Sequence, residues 1–385
     1  MTPIDFQIRS VGEFRQIEII KEKIINLSQS DLEAGLPPIL ESNNYHDVFS
    51  ALGLAVFQNL PPGSDLQRQL PIAHEFFCGN FAFLEFLIAN FKSSQKKTQT
   101  QLRDPQPGPT DRIEKLFQQL RGSMYYGDTE AADDAVTKLC RTTSIFQIFE
   151  YIFELGIQDM SFGAKKAITS LQYWQLSSIL RHSFTPLLLR SLVRYFCQSL
   201  NATPQADRHD VTSWIESESL ADQKGDDWIY HLPSRQPDIQ NLMHTIVDGT
   251  LLVALSSVDE ALGKGCHPIW IWSAVFQLAI SECQLSDFKL SKDNTLLGIS
   301  SLFKIGQLVH NPSLRLKAMF QAVAMVASRK GTCNEKFIYS NENITEFYNE
   351  LQKKAEGASL TDCLQYYELI SGLNNWLKYQ SIFVL

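Results

Sequence analysis

Apolar residues recur at intervals of three and four along almost the whole chain, and nowhere settle into an alternating run bounded by hairpin turns. An interval of 3.6 marks one face of an α-helix, whereas a half-buried strand needs a period of two. The pattern therefore predicts an all-α protein with no sheet. Ile17, Ile20, Ile24 and Ile25 mark the first such face. The faces place helices at about 11–29, 45–59, 65–92, 111–122, 129–141, 144–156, 162–182, 186–200, 238–262, 268–284, 294–309, 312–328, 343–356 and 359–378.

Start signals support these positions. Ser30-Asp31-Leu32-Glu33 and Ser64-Asp65-Leu66-Gln67 read as capping boxes, and Asn343-Ile344-Thr345-Glu346 is a looser version. Thr185-Pro186 and Asn311-Pro312 each set a capping side chain before a proline at the first helical position. Gly127-Asp128-Thr129-Glu130 fits the turn of an antiparallel hairpin, with acids at the positive end of the new helix. Similar hairpins follow at 144–182 and 294–328, without the fixed period of a named repeat. The expected architecture is stacked antiparallel helical hairpins in one elongated multi-helix body. Along it lie an N-terminal helical part (1–92), a flexible loop (93–110), central hairpins (111–200), a covering loop (201–237) and a C-terminal helical part (238–385).

Composition narrows the class. Hydrophobic residues are 44% and charged residues 20%, which excludes a disordered, collagen-like or coiled-coil chain. With 34 Lys and Arg against 42 Asp and Glu, the net charge of -8 argues against a nucleic-acid partner. The seven cysteines are scattered and form no CxxC pair, so reduced thiols in a cytoplasm are expected. Met1–Ser10 lacks the apolar core of a signal peptide. Phe76–Phe91 is interrupted by Asn80, Glu85 and Asn90, and Ile269–Ile280 is short of the ~20 apolar residues a span requires, so no membrane segment is expected.

The stretch 201–237 holds seven acids from Asp207 to Asp227, together with Trp214, Trp228 and Tyr230. A solvated linker has no use for two tryptophans, so 207–230 is read as an acidic, aromatic cover over the body.

Histidine titrates near neutrality and ligates metals, so the chemistry is sought there first. His244 and Asp248 lie four apart on a helix and share a face, where a carboxylate can fix an imidazole tautomer or join it on a metal. More plainly, they are a His–Asp helix pair. His267 stands just before Pro268 at the start of the next helix. His74, Cys78 and Glu85 form a stripe at spacings of four and seven on a very apolar helix. A carboxylate buried there would have a raised pKa suited to acid–base work; alternatively Glu85 and Asn90 mark that helix's narrow wet face. Glu150 and Glu154 lie four apart in another apolar helix, but the Glu-x-x-His pattern of a carboxylate-bridged metal pair is absent. Trp270, Trp272 and Phe276 fit a core better than a cofactor wall. No GxGxxG, phosphate loop, GxSxG or HExxH is present.

Gly127-Asp128, Asp159, Lys166-Ala167-Ile168 and Trp174 match, without a gap, a pattern of Gly-Asp-x-Glu-Ala turn, Asp, Gly-His-Lys-Ala-Ile and Trp. In this the stretch 127–174 resembles a loosely characterised family of all-helical bacterial proteins, some associated with Rieske-type iron–sulfur domains. Ala164-Lys165 stand where that family has Gly-His, so this chain lacks that histidine. The resemblance implies a helical fold and an oxidative context.

Together these readings lead to a small-molecule enzyme of oxidative type, with an interhelical pocket bearing His74, His244 and His267. There His244, oriented by Asp248, is base or ligand, and Glu85 is a buried acid. The expected cofactor is non-haem iron or another divalent metal on His244 and His267. The rival is a non-catalytic helical scaffold whose acidic surface favours basic protein partners.

Overall fold

The computed structural model describes residues 3–28, 32–95, 112–180, 184–202, 208–224, 228, 238–285, 295–328 and 341–383. Among them every regular element is a helix. In chain order these are α1 (Pro3–Asn26), α2 (Leu32–Glu41), α3 (Tyr45–Asn59), α4 (Asp65–Phe77), α5 (Phe81–Ser94), α6 (Ile113–Tyr126), α7 (Thr129–Thr142), α8 (Ile145–Gln158) and α9 (Ser161–Ile179). There follow α10 (Thr185–Ala202), α11 (Arg208–Lys224), α12 (Ile239–Asp248), α13 (Leu251–Gly263), α14 (Pro268–Leu285), α15 (Thr295–Leu308), α16 (Pro312–Ala327), α17 (Asn341–Gly357) and α18 (Leu360–Phe383). The protein is therefore all-α, and none of the described helices is long and apolar enough to cross a membrane. The chain forms two compact units, one from 1–148 with 172–202, the other from 149–171 with 203–385.

In the first unit, α6, α7 and α10 pack on one another. Leu116, Leu120 and Met124 form the buried stripe of α6, and Ala132, Ala135, Val136 and Leu139 that of α7. The hairpin between them closes as its sequence requires. Gly127 takes the left-handed conformation (φ 74°) and Asp128 accepts from the Ala131 N–H at 3.0 Å. Asp133 on α7, 9% exposed, receives two parallel bonds from Arg190 on α10, at 2.8 and 2.7 Å, and a third from Arg194 at 3.2 Å. Such a fork ties helix to helix more specifically than apolar contact can.

The α3–α4 turn is fixed by a buried polar network. Gln67 Oε1 accepts from the Gly63 N–H at 2.7 Å and from the Tyr173 hydroxyl at 2.8 Å, and Tyr173 meets Ser191 Oγ at 3.2 Å. Gly63 has φ 71°, and a Cβ there would collide with the Tyr195 ring. The capping box expected at Ser64 thus works differently. Ser64 makes no side-chain cap, and Gln67 reaches back one residue further, to Gly63.

The second unit is built on small residues and aromatics. At Gly298 on α15 a Cβ would lie 2.5 Å from the Gly163 carbonyl oxygen, and a Cβ on Gly372 of α18 would strike Ser300. These glycines let helix backbones meet closely. Trp272, Phe276, Phe303, Trp376 and Tyr379 form one aromatic cluster, in which Phe276 and Trp376 stack at 5.0 Å. Trp272 and Phe276 are therefore core.

Several expected elements differ. The helix expected over 65–92 is two, because Gly79 turns left-handed (φ 85°) and Asn80 caps α5, accepting from the Phe83 N–H at 3.1 Å. The helix expected over 238–262 is broken after Gly249, where Thr250 caps α13 by accepting from the Val253 N–H. Helix α2 appears where none was read, with Pro37 and Pro38 inside it. The expected covering loop contains α11, which packs on α16 and α13 as a member of the second unit. There Lys224 Nζ meets Asp259 Oδ1 at 2.8 Å, Lys317 Nζ meets Glu218 Oε1 at 3.2 Å, and Trp228 is buried. Tyr230 and most of 93–110 lie outside the described residues.

Candidate metal centre

In the first unit, α3 and α4 are antiparallel neighbours joined by a short turn. The start of α3 therefore meets the end of α4. His46, in the first turn of α3, and His74, in the last turn of α4, are equally distant in sequence from Leu60 in the turn. Their rings lie 5.5 Å apart. Cys78 follows His74 by one helical turn, and its Sγ is 3.8 Å from His74 Nε2. One donor atom from each of His46, His74 and Cys78 lies within 4.8 Å of the other two. Among the described residues this is the one place where three or more His, Cys, Asp or Glu donors gather so closely.

A zinc-type ion about 2.0–2.1 Å from nitrogen and about 2.3 Å from sulfur holds tetrahedral donors roughly 3.3–3.6 Å apart. The Cys78 Sγ–His74 Nε2 distance of 3.8 Å is already close to that spacing. The donors are accessible as well: His46 and Cys78 are exposed, and His74 is half-buried against Phe49, whose ring centre is 5.2 Å away. Burial, and then the neighbouring His46, lower the His74 pKa from its ordinary value. The neutral, ligating imidazole is thereby favoured. Tyr45, beside His46, packs against Phe49 and Phe81 and is 8% exposed. Its hydroxyl has no hydrogen-bond partner among the described residues, and burial together with the charge of Cys78 pushes its pKa up to about 12.

Of the residues singled out from the sequence, His74 and Cys78 come together and Glu85 parts from them. The break at Gly79 resets the helical phase, and Glu85 joins Phe81, Ala82 and Ala89 on the exposed face of α5. It is no buried acid; Phe83, Leu84, Leu87, Ile88 and Phe91 take the core side. His244 and Asp248 do face each other, Nδ1 to Oδ2 at 4.0 Å, but their side chains are 49% and 78% exposed. At that distance in water the pair is weak. His267 is buried, and its Nδ1 accepts from the Ile269 N–H at 3.2 Å, at the N-terminus of α14. That bond spends one ring nitrogen on the backbone.

Glu150 accepts from the backbone N–H groups of His310 and Asn311, at 2.7 and 3.2 Å, where α16 begins. A carboxylate placed on a helix N-terminus is satisfied without a metal. The residues behind the sequence resemblance are likewise engaged. Asp159 pairs with Lys166 at 2.5 Å, Trp174 packs edge-on against Phe146, and Ala164 is left-handed (φ 61°).

His46 escaped the sequence reading because no local spacing connects it to His74. Folding the 45–59 and 65–77 helices about their turn was the one signal able to find it. Comparison with known proteins finds no matching family model, no matching curated protein and no matching solved structure.

Proposed function

We propose that this protein is a metal-dependent, small-molecule-binding protein whose ion is held by His46, His74 and Cys78. One observation carries it: two imidazoles and a thiol from two helices present their donor atoms within 4.8 Å of one another. Two nitrogens and one sulfur form a borderline-soft set that suits zinc, and suits iron or cobalt less well. Three protein donors leave a fourth position for a small molecule, which is the arrangement of catalytic rather than structural sites. The proposed donor set includes none of His244, Asp248, His267 and Glu85. An enzymatic, oxidative role is compatible with it but rests on the sequence resemblance alone.

The test is metal stoichiometry on the full chain. One Zn²⁺ per chain is expected, with Co²⁺ giving a thiolate-to-metal charge-transfer band. Both should vanish in a His46→Ala, His74→Ala, Cys78→Ser variant that keeps its helical circular dichroism. Equal metal uptake by that variant overturns the site. A folded, metal-free wild type would leave the scaffold reading, which the exposed Tyr125–Tyr126 pair favours (72% and 82% exposed).

A further inference from the structure

We propose that the ion site is redox-gated: peroxide oxidises the Cys78 thiolate and the ion is released. The inference rests on the metal reading above and adds a regulator to it.

Three features of the fold lead there. First, among the described cysteines Cys78 alone is exposed; Cys197, Cys266 and Cys363 are buried, and Cys140 and Cys283 are intermediate. Second, its Sγ stands 3.8 Å from His74 Nε2 within the proposed donor set, and a cysteine that ligates zinc does so as thiolate. The thiolate is the form that peroxide attacks. Burial, by contrast, pushes Cys140 up to about 12 and Cys266 up to about 11. Third, Cys78 ends α4 at a left-handed glycine where an added Cβ would meet nothing within 4 Å. The chain just beyond the exposed Cys78 is thus uncrowded.

The chemistry balances. The Cys78 thiolate attacks one oxygen of hydrogen peroxide; an S–O bond forms, the O–O bond breaks, and the second oxygen leaves as hydroxide. Sulfur is oxidised by two electrons and the peroxide is reduced by two. The product sulfenic acid is a poor donor, and only His46 and His74 remain to hold the ion. A low-molecular-weight thiol restores the site. It condenses with the sulfenic acid to a mixed disulfide and water, and a second thiol then displaces the Cys78 thiolate.

The experiment uses the full chain loaded with Zn²⁺. Hydrogen peroxide is added in small excess, free zinc is followed with a chromophoric chelator, and sulfenic acid is trapped with dimedone and located by peptide mass spectrometry. The expected result is loss of the bound zinc, with the dimedone adduct on Cys78. Glutathione added in place of dimedone should restore binding. Zinc retained after peroxide, or released with the adduct confined to another cysteine, Cys333 included, overturns the gate while leaving the metal site standing. A chain that binds no zinc at the outset takes down both. Cys78→Ser separates ligand loss from unfolding: it should bind zinc weakly, show no peroxide-dependent release, and keep wild-type circular dichroism. Peroxide-dependent release from that variant also overturns the proposal.

Discussion

His267 and His244 stand in very different surroundings. His267 lends Nδ1 to a free N–H at the start of α14, whereas His244 hangs on the outside of α12 with Gln240 and Asp248 for company. His244→Ala and Asp248→Ala should each leave stability within about 0.5 kcal/mol of the parent by urea denaturation, as exposed positions do. They should also leave zinc uptake unchanged. Cys140 provides a pH-dependent counterpart. Its pKa rises from 9.0 to about 12 on burial, despite Arg190 and Arg141 nearby. Between those values the unfolded chain has lost the proton and the folded chain keeps it. Stability contributed by this thiol is whole below pH 9 and falls as pH climbs toward 12. Cys140→Ala should flatten the alkaline part of a stability–pH curve measured by denaturant midpoint, and leave its neutral slope alone.

At the scale of elements, the breaks decide the chemistry. Helix 45–59 was legible to the residue, and so were the Gly127–Asp128 turn and the Asn311–Pro312 cap, because in each the capping residue coincides with the edge of the apolar stripe. At Gly79–Asn80 and Gly249–Thr250 the stripe runs on across the cap, so periodicity alone merges two helices into one. Helix α11 was missed for the opposite reason: its acids read as loop, although Lys224 and Lys317 tie it down. His74 and Cys78 were legible as an i, i+4 pair. His46 was not, since its partnership exists only once two helices have docked. Gly79→Ala tests the first break. A Cβ there meets no neighbour, so the cost is backbone alone, about 1–2 kcal/mol for a residue forced left-handed. The measurement is equilibrium unfolding; a loss well beyond that would mean the turn does more than reverse the chain.

For the whole molecule, the two units rest on different kinds of glue. The first depends on the Asp133 fork, and Asp133→Ala removes both parallel bonds from the buried Arg190, at a cost of about 3–5 kcal/mol. The second depends on its aromatic cluster, and Trp376→Ala removes a fully buried indole at about 3–5 kcal/mol. Calorimetry should resolve more than one transition, with each substitution lowering a different one. A single transition lowered equally by both would show one cooperative block.

The Gln67–Tyr173–Ser191 knot gives the α3–α4 hairpin a pinned end at Gly63, while His46 and His74 stand at the opposite end. Helix α4 has thirteen residues, an arm about 20 Å long. Over such an arm, a tilt of a few degrees at the knot would displace the far tip by about an ångström. Were an ion held there as proposed, the spacing of its donors would be set from the opposite end of the hairpin, by groups that never touch it.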